Sequence, residues 1–335
     1  MSTYFTLIWI TIIAVGIFMY VVLDGFDLGV GILSRSAPSK AGRETMIASI
    51  SPFWDGNETW LILGAVGLLA AFPMAFAIIL PALYFPVLMM LVGLMFRGVA
   101  FEYRTVPSAL SPVWDLGFFA GSVLAAFSQG IMLGMFVEGF TVTGRVFSGG
   151  SFDWVAPFPL LSGVALVFGY ALLGAGWLVL KTEGALQDWA RNRGRQMLAF
   201  VLAFIGMVSL YMLIHQPQVM GRWVSFPNIL FLWPIPLGTM LAALWAWRTF
   251  GGTQEVQPFL ATVTMFGLSF LGLAISLWPM IVPASVDLWT AAASPNSQAF
   301  LLVGTAVLLP VVLAYTAWSY WVFRGKVRAD SGYGH

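Results

Sequence analysis

The sequence has no cysteine, which excludes disulfides, iron–sulfur clusters and thiolate metal sites in this chain. It has only two histidines, His215 and the terminal His335. Haem iron usually takes His, Met, Cys or Tyr as axial ligand, and a haem–copper centre would need several histidines. The sixteen methionines offer single ligands in principle, but Met on an apolar helix face is ordinarily packing. Charge is scarce too. Only 9% of the 335 residues are charged, against about 25% in soluble domains, and 60% are hydrophobic. Net charge is +1 with no polybasic arm, so a nucleic-acid partner has no electrostatic support. No outer loop is long enough for a folded domain, and no strong internal repeat is visible. The composition is that of one integral membrane domain, 1–335.

A helix needs about 20 apolar residues to cross a hydrocarbon core. Nine segments qualify: Leu7–Leu33, Phe53–Phe72, Met74–Val99, Val113–Val137, Phe158–Leu180, Leu198–Ile214, Ile229–Trp247, Pro258–Val282 and Ala299–Phe323. The first is too long for a signal-peptide core and no A-x-A pattern follows, so it is kept as a span. Phe72-Pro73 makes a very short turn between the second and third. Thirteen of the 15 basic residues fall on one side of this topology: Arg35, Lys40, Arg43, Arg97, Arg104, Lys181, Arg191, Arg193, Arg195, Arg248, Arg324, Lys326 and Arg328. Only Arg145 and Arg222 fall on the other. The positive-inside rule puts the C-terminus in the cytoplasm and the N-terminus outside. Pro81, Pro86, Pro234, Pro236, Pro279 and Pro310 lie inside spans and read as kinks.

The most informative stretch is Asp24-Gly25-Phe26-Asp27-Leu28-Gly29-Val30-Gly31, two carboxylates in a hydrocarbon-like run. A charge at the centre of a membrane helix costs about 2.5–3.5 kcal/mol on insertion scales, so two of them need a reason. At i and i+3 they share a face. Gly25 and Gly29 form a small-xxx-small pair that lets another backbone approach. The topology puts Asp24, Asp27, Asp55, Glu58 and Arg97 in one leaflet, where they are expected to form a single buried cluster. Two readings stand for each pair. Asp55 and Glu58 open the second span with Asp at the N-cap and Glu three residues on, a capping-box-like start. They also suit a protonatable site at a proton entrance, since crowded carboxylates disfavour a second negative charge. Asp24 and Asp27 are read as a structural ion pair with Arg97, or as hydrogen-bonded to neighbouring helices. Lys181 and Glu183 read as interface residues and His215 as an outer-surface residue.

At these same residues the chain resembles subunit II of the cytochrome bd-type ubiquinol oxidases. The strings are Asp24 to Gly31, Trp54-Asp55-Gly56-Asn57-Glu58-Thr59-Trp60, Phe96-Arg97 through Tyr103-Arg104, Gly169-Tyr170-Ala171-Leu172-Leu173-Gly174, Lys181-Thr182-Glu183-Gly184, and Tyr315 through Phe323-Arg324-Gly325-Lys326-Val327. Their wording is closer to the cyanide-insensitive branch. The resemblance implies an all-α membrane protein of nine transmembrane helices, two four-helix bundles plus one peripheral helix, in the bacterial inner membrane. It implies a quinol:oxygen oxidoreductase whose haems, b and d or b in place of d, lie in a partner subunit I, with ubiquinol as substrate. This chain would ligate no cofactor, although some relatives hold a structural quinone. Lipid and small single-span subunits are further expected partners. The family's cytoplasmic proton path runs along the interface of its two large subunits and implicates Asp55, with Glu58 beside it; Asp24, Asp27 and Arg97 would be the structural cluster. Two other functions remain open from the residues: a proton-coupled secondary transporter, which buried acids and broken helices also suit, and a scaffold that only stabilises a partner.

Overall fold

The computed structural model describes residues 2–104, 110–215 and 217–327. Arg328 and His335 lie outside the described residues. Backbone groups in a bilayer must be satisfied within the segment, so apolar runs become helices. In chain order these are α1 (Ser2–Ser34), α2 (Lys40–Ala48), α3 (Trp54–Ala71), α4 (Pro73–Ala82), α5 (Tyr84–Tyr103), α6 (Ser111–Glu138), α7 (Pro157–Lys181), α8 (Gly184–His215), α9 (Pro217–Val224), α10 (Asn228–Leu232), α11 (Pro234–Phe250), α12 (Gln257–Leu277), α13 (Leu288–Ala291) and α14 (Pro295–Val322). Two small antiparallel hairpins interrupt them: β1 (Val142–Thr143) with β2 (Val146–Phe147), and β3 (Met280–Val282) with β4 (Val286–Asp287).

Among the described residues eight helical segments are long and apolar enough to cross a membrane. The ninth expected segment, α3, is not among them, because its first two turns carry Asp55, Asn57 and Glu58. Several boundaries also differ from expectation. The third segment, Met74–Val99, is two helices that break at Leu83. Pro86 falls in the first turn of α5, where its missing N–H is tolerated. The seventh, Ile229–Trp247, breaks at Trp233 before Pro234 and Pro236. The eighth, Pro258–Val282, stops at Leu277; Pro279 follows, and the chain turns into β3. The sixth, Leu198–Ile214, begins earlier, at Gly184, through charged turns that hydropathy alone underweights.

Helix α1 is the hub and packs on α3, α6 and α7; α6 lies between α5 and α7, while α7 also touches α8 and α12, which pair with α11. The seam between α1 and α7 is set by glycine. A Cβ on Gly29 would lie 2.8 Å from the Gly174 nitrogen, so neither position admits a side chain without moving a backbone.

The two ends of the bundle differ. The α1 C-terminus, α3 N-terminus, α5 C-terminus, α7 C-terminus and α14 C-terminus meet at one end, called the basic end below for its Lys and Arg residues. The opposite end has its own apolar core, built from Trp9, Phe72, Ile78, Ile131, Val282 and Leu288 among others. There α4, the β3–β4 hairpin and α13 fold over the bundle.

Candidate functional site

At the basic end the chain buries charge. Asp24, Asp27 and Arg97 are all essentially inaccessible. The Arg97 guanidinium donates from Nη1 to Asp24 Oδ1 at 2.7 Å and from Nη2 to Glu58 Oε1. Its carbon lies 5.7 Å from the ring centre of Trp54, which covers it with a cation–π contact. One cation thus bridges α1, α3 and α5. Asp27 enters no ion pair among the described residues. Instead Asn57 Nδ2 donates to its Oδ2 at 2.7 Å and to the Leu23 carbonyl at 3.3 Å, while Asp27 Oδ1 is buried without a hydrogen-bond partner among the described residues. Across the bundle, Tyr320 of α14 donates to Asn57 Oδ1 at 3.0 Å. A second polar group sits deeper. Tyr170 donates to Gln129 Oε1 at 2.6 Å, and Gln129 Nε2 donates to Tyr20, one turn before Asp24, at 2.9 Å.

The capping-box start is not what forms. Phe53 occupies the N-cap of α3, and no side chain caps it. The Asn57 amide, which an N-capping Asp55 would have served, is already engaged by the Phe53 carbonyl. Asp55 therefore falls inside the first turn and points outward, exposed. Glu58, one turn on, has a side chain 28% exposed and reaches inward to Arg97. So Asp24, Asp27, Glu58 and Arg97 come together, and Asp55 stands outside them rather than in a single buried cluster. Outside the cluster, Asp115 of α6 takes Arg43 at 2.9 Å and Arg104 at 3.1 Å, joining α2, α5 and α6. Among the described residues no group of three or more His, Asp or Glu converges as metal ligands would.

The motif strings that line this site lie in a chain whose residues 5–323 match the family model for cytochrome bd terminal oxidase subunit II. The chain belongs to that family. Subunit 2 of the cytochrome bd-I ubiquinol oxidase from Escherichia coli (strain K12) is 30% identical, the alignment covering 96% of this chain and 95% of that one. Subunit 2 of the cytochrome bd ubiquinol oxidase from Bacillus subtilis (strain 168) is 30% identical, with 96% of each covered. A chain of the bd oxidase structure from Geobacillus thermodenitrificans shares the fold at a TM-score of 0.75 and 17% identity, covering 95% of this chain and 98% of that one. This family member is thus one subunit of a bacterial terminal oxidase and a multi-pass inner-membrane protein.

Sequence reasoning missed Asn57, Tyr320 and the Tyr20–Gln129–Tyr170 set. Asn57 stood inside a quoted string, and its polar side chain in a membrane helix was the available signal. Tyr320 is 263 positions from Asn57, and nothing local announces that pairing.

Proposed function

We propose that this chain is the subunit of a ubiquinol:oxygen oxidoreductase that ligates no haem, braces the haem-bearing subunit I, and carries protons from the cytoplasm toward the site where oxygen is reduced to water. Asp55 and Glu58 collect the protons. Asp24, Asp27 and Arg97 form the structural cluster behind them. The observation that carries this reading is the gradient along α3: Asp55 exposed, Glu58 partly exposed, and Arg97 and Asp27, which Glu58 and Asn57 contact, fully buried. Two carboxyl groups share one guanidinium and a third, Asp27, lies beside them without a cation, and a buried cluster of that kind tends to neutrality by holding protons.

The same gradient suggests where the partner sits. An exposed acid beside Ile62, Val66 and Leu69 on α3 and Met95 and Phe96 on α5 is costly against lipid. A companion subunit covering that face removes the cost and makes Asp55 an interface residue. In this reading α3 is the ninth crossing, the basic end is cytoplasmic and the N-terminus periplasmic. The helices form two four-helix bundles with α14 peripheral. Haems b and d, or b in place of d, belong to subunit I. Lipid, small single-span subunits and a structural quinone complete the expected assembly. The transporter alternative is not favoured by membership of an oxidase family.

The test is oxygen uptake per haem by the assembled complex carrying Asp55→Asn. A fall of about tenfold or more, with the haem spectrum intact, supports the proton path. Unchanged turnover refutes it and leaves a scaffold role.

A further inference from the structure

Helix α14 has 28 residues, of which only Gln298 is buried. Its attachment is made at its two ends. At the opposite end Trp9 Nε1 donates to the Gln298 carbonyl at 3.0 Å. At the basic end two lysines are exchanged. Lys181, the last residue of α7 and 3% exposed, donates to the Phe323 carbonyl and, at 3.0 Å, to that of Gly325, just past the end of α14. Lys326, in the strap that follows α14, donates back to the carbonyls of Thr182 at 3.0 Å and Val179 at 3.3 Å, at the end of α7. The Val327 amide closes the strap on the Lys181 carbonyl at 2.9 Å. Each cation satisfies carbonyls left open at the other helix's C-terminus, the end whose dipole favours positive charge.

The strap also fixes a ring. Lys181 Nζ lies 5.4 Å from the ring centre of Phe53 and 5.2 Å from that of Trp177. Phe53 stacks on Tyr320 with ring centres 4.5 Å apart. The Tyr320 hydroxyl then donates to Asn57 Oδ1, and this bond, with the longer one from Asn57 Nδ2 to the Leu23 carbonyl, sets which way the amide faces. With a donor on its oxygen, Asn57 must turn its NH2 toward Asp27. Without that donor only the 3.3 Å bond to the Leu23 carbonyl still opposes turning the oxygen toward Asp27. We propose that Tyr320 is a positioning residue for Asp27, acting through the orientation of Asn57, and that the Lys181–Lys326 strap holds it there. Its bearing on turnover rests on the proton-path reading above; its bearing on the Asp27 carboxyl does not.

The test uses the whole oxidase with Tyr320→Phe, which keeps the stacked ring and removes one hydroxyl. The infrared band of the Asp27 carboxyl is assigned by difference against Asp27→Asn. Tyr320→Phe is expected to shift that band and to lower turnover about fivefold, the loss of one net hydrogen bond, with quinol KM and haem content unchanged. Lys181→Met is expected to shift the same band without touching the Tyr320 hydroxyl. An unshifted Asp27 band in Tyr320→Phe overturns the positioning role whatever turnover does. A shifted band together with full turnover in Tyr320→Phe and Asp27→Asn upholds the positioning role and takes Asp27 off the proton path, which itself falls only if Asp55→Asn also turns over unchanged.

Discussion

The two ends of this bundle are closed by different chemistry. The opposite end is capped by hydrocarbon and aromatic side chains, with α4, α13 and a hairpin packed over Phe72 and Ile78. The basic end buries Asp24, Asp27, Arg97, Lys181 and Arg191. A protein that needed only stability would gain by filling both ends alike, because a buried ion pair is no better than a well-packed apolar replacement. Among the described residues fully buried charge lies at the basic end alone, which points to work done there, and the variants below are chosen to separate work from packing.

The largest effect is expected from Arg97→Met. Two carboxyl groups lose their cation, and breaking a buried pair in this way costs about 3–5 kcal/mol. The yield of assembled oxidase from membranes is expected to collapse, with partial recovery when Asp24→Asn is added. At the opposite end Ile78→Ala, in a fully buried site, is expected to cost about 2–5 kcal/mol by cavity formation. Thermal inactivation of the complex is expected to come sooner while turnover per haem stays at the parent value. A fall in turnover there would erase the distinction between the ends.

A smaller change is expected from Gln129→Leu. It strands the Tyr170 hydroxyl in the bundle, costing about 1–3 kcal/mol for the unsatisfied group. The measurement is the melting point of the purified complex. The smallest effect is in pH. Gln187 and Lys326 hydrogen-bond to Glu255 and hold its carboxyl below the usual range, and the Thr290 and Trp289 amides do the same for Asp287. Both contacts are therefore present above the ordinary carboxylate value of about 4 and are lost as pH falls through the lower folded values. Acid is expected to loosen the two ends equally, read as limited proteolysis near Glu255 and Asp287 from neutral pH down through about pH 4. Loosening already at pH 6 to 7 at either site would contradict it.

Much of the basic end was legible because charged residues in a membrane run are rare enough to be noticed one at a time. Asp24, Asp27 and Arg97 stood out on cost alone, and Gly25 and Gly29 marked a close seam. What stayed hidden depended on direction rather than identity. Asp55 and Glu58 lie one turn apart, yet one faces out and one reaches Arg97, because the helix starts before Asp55 and the Phe53 carbonyl takes the Asn57 amide that a capping aspartate would have served. Tyr320 stayed hidden because only the fold brings it to Asn57. The break at Leu83 and the charged extension of α8 from Gly184 were missed for a common reason: hydropathy reports where lipid is, not where a helix starts or stops.

The central claim is that protons enter at the basic end by way of Asp55 and Glu58. The direct measurement is proton uptake during oxygen reduction by the complex reconstituted in vesicles with the basic end outward. Uptake from the outer medium is expected in the parent and is expected to fall about tenfold or more in Glu58→Gln with haem content unchanged. Uptake at the parent rate in Glu58→Gln, or uptake drawn from the vesicle interior in the parent, would contradict it.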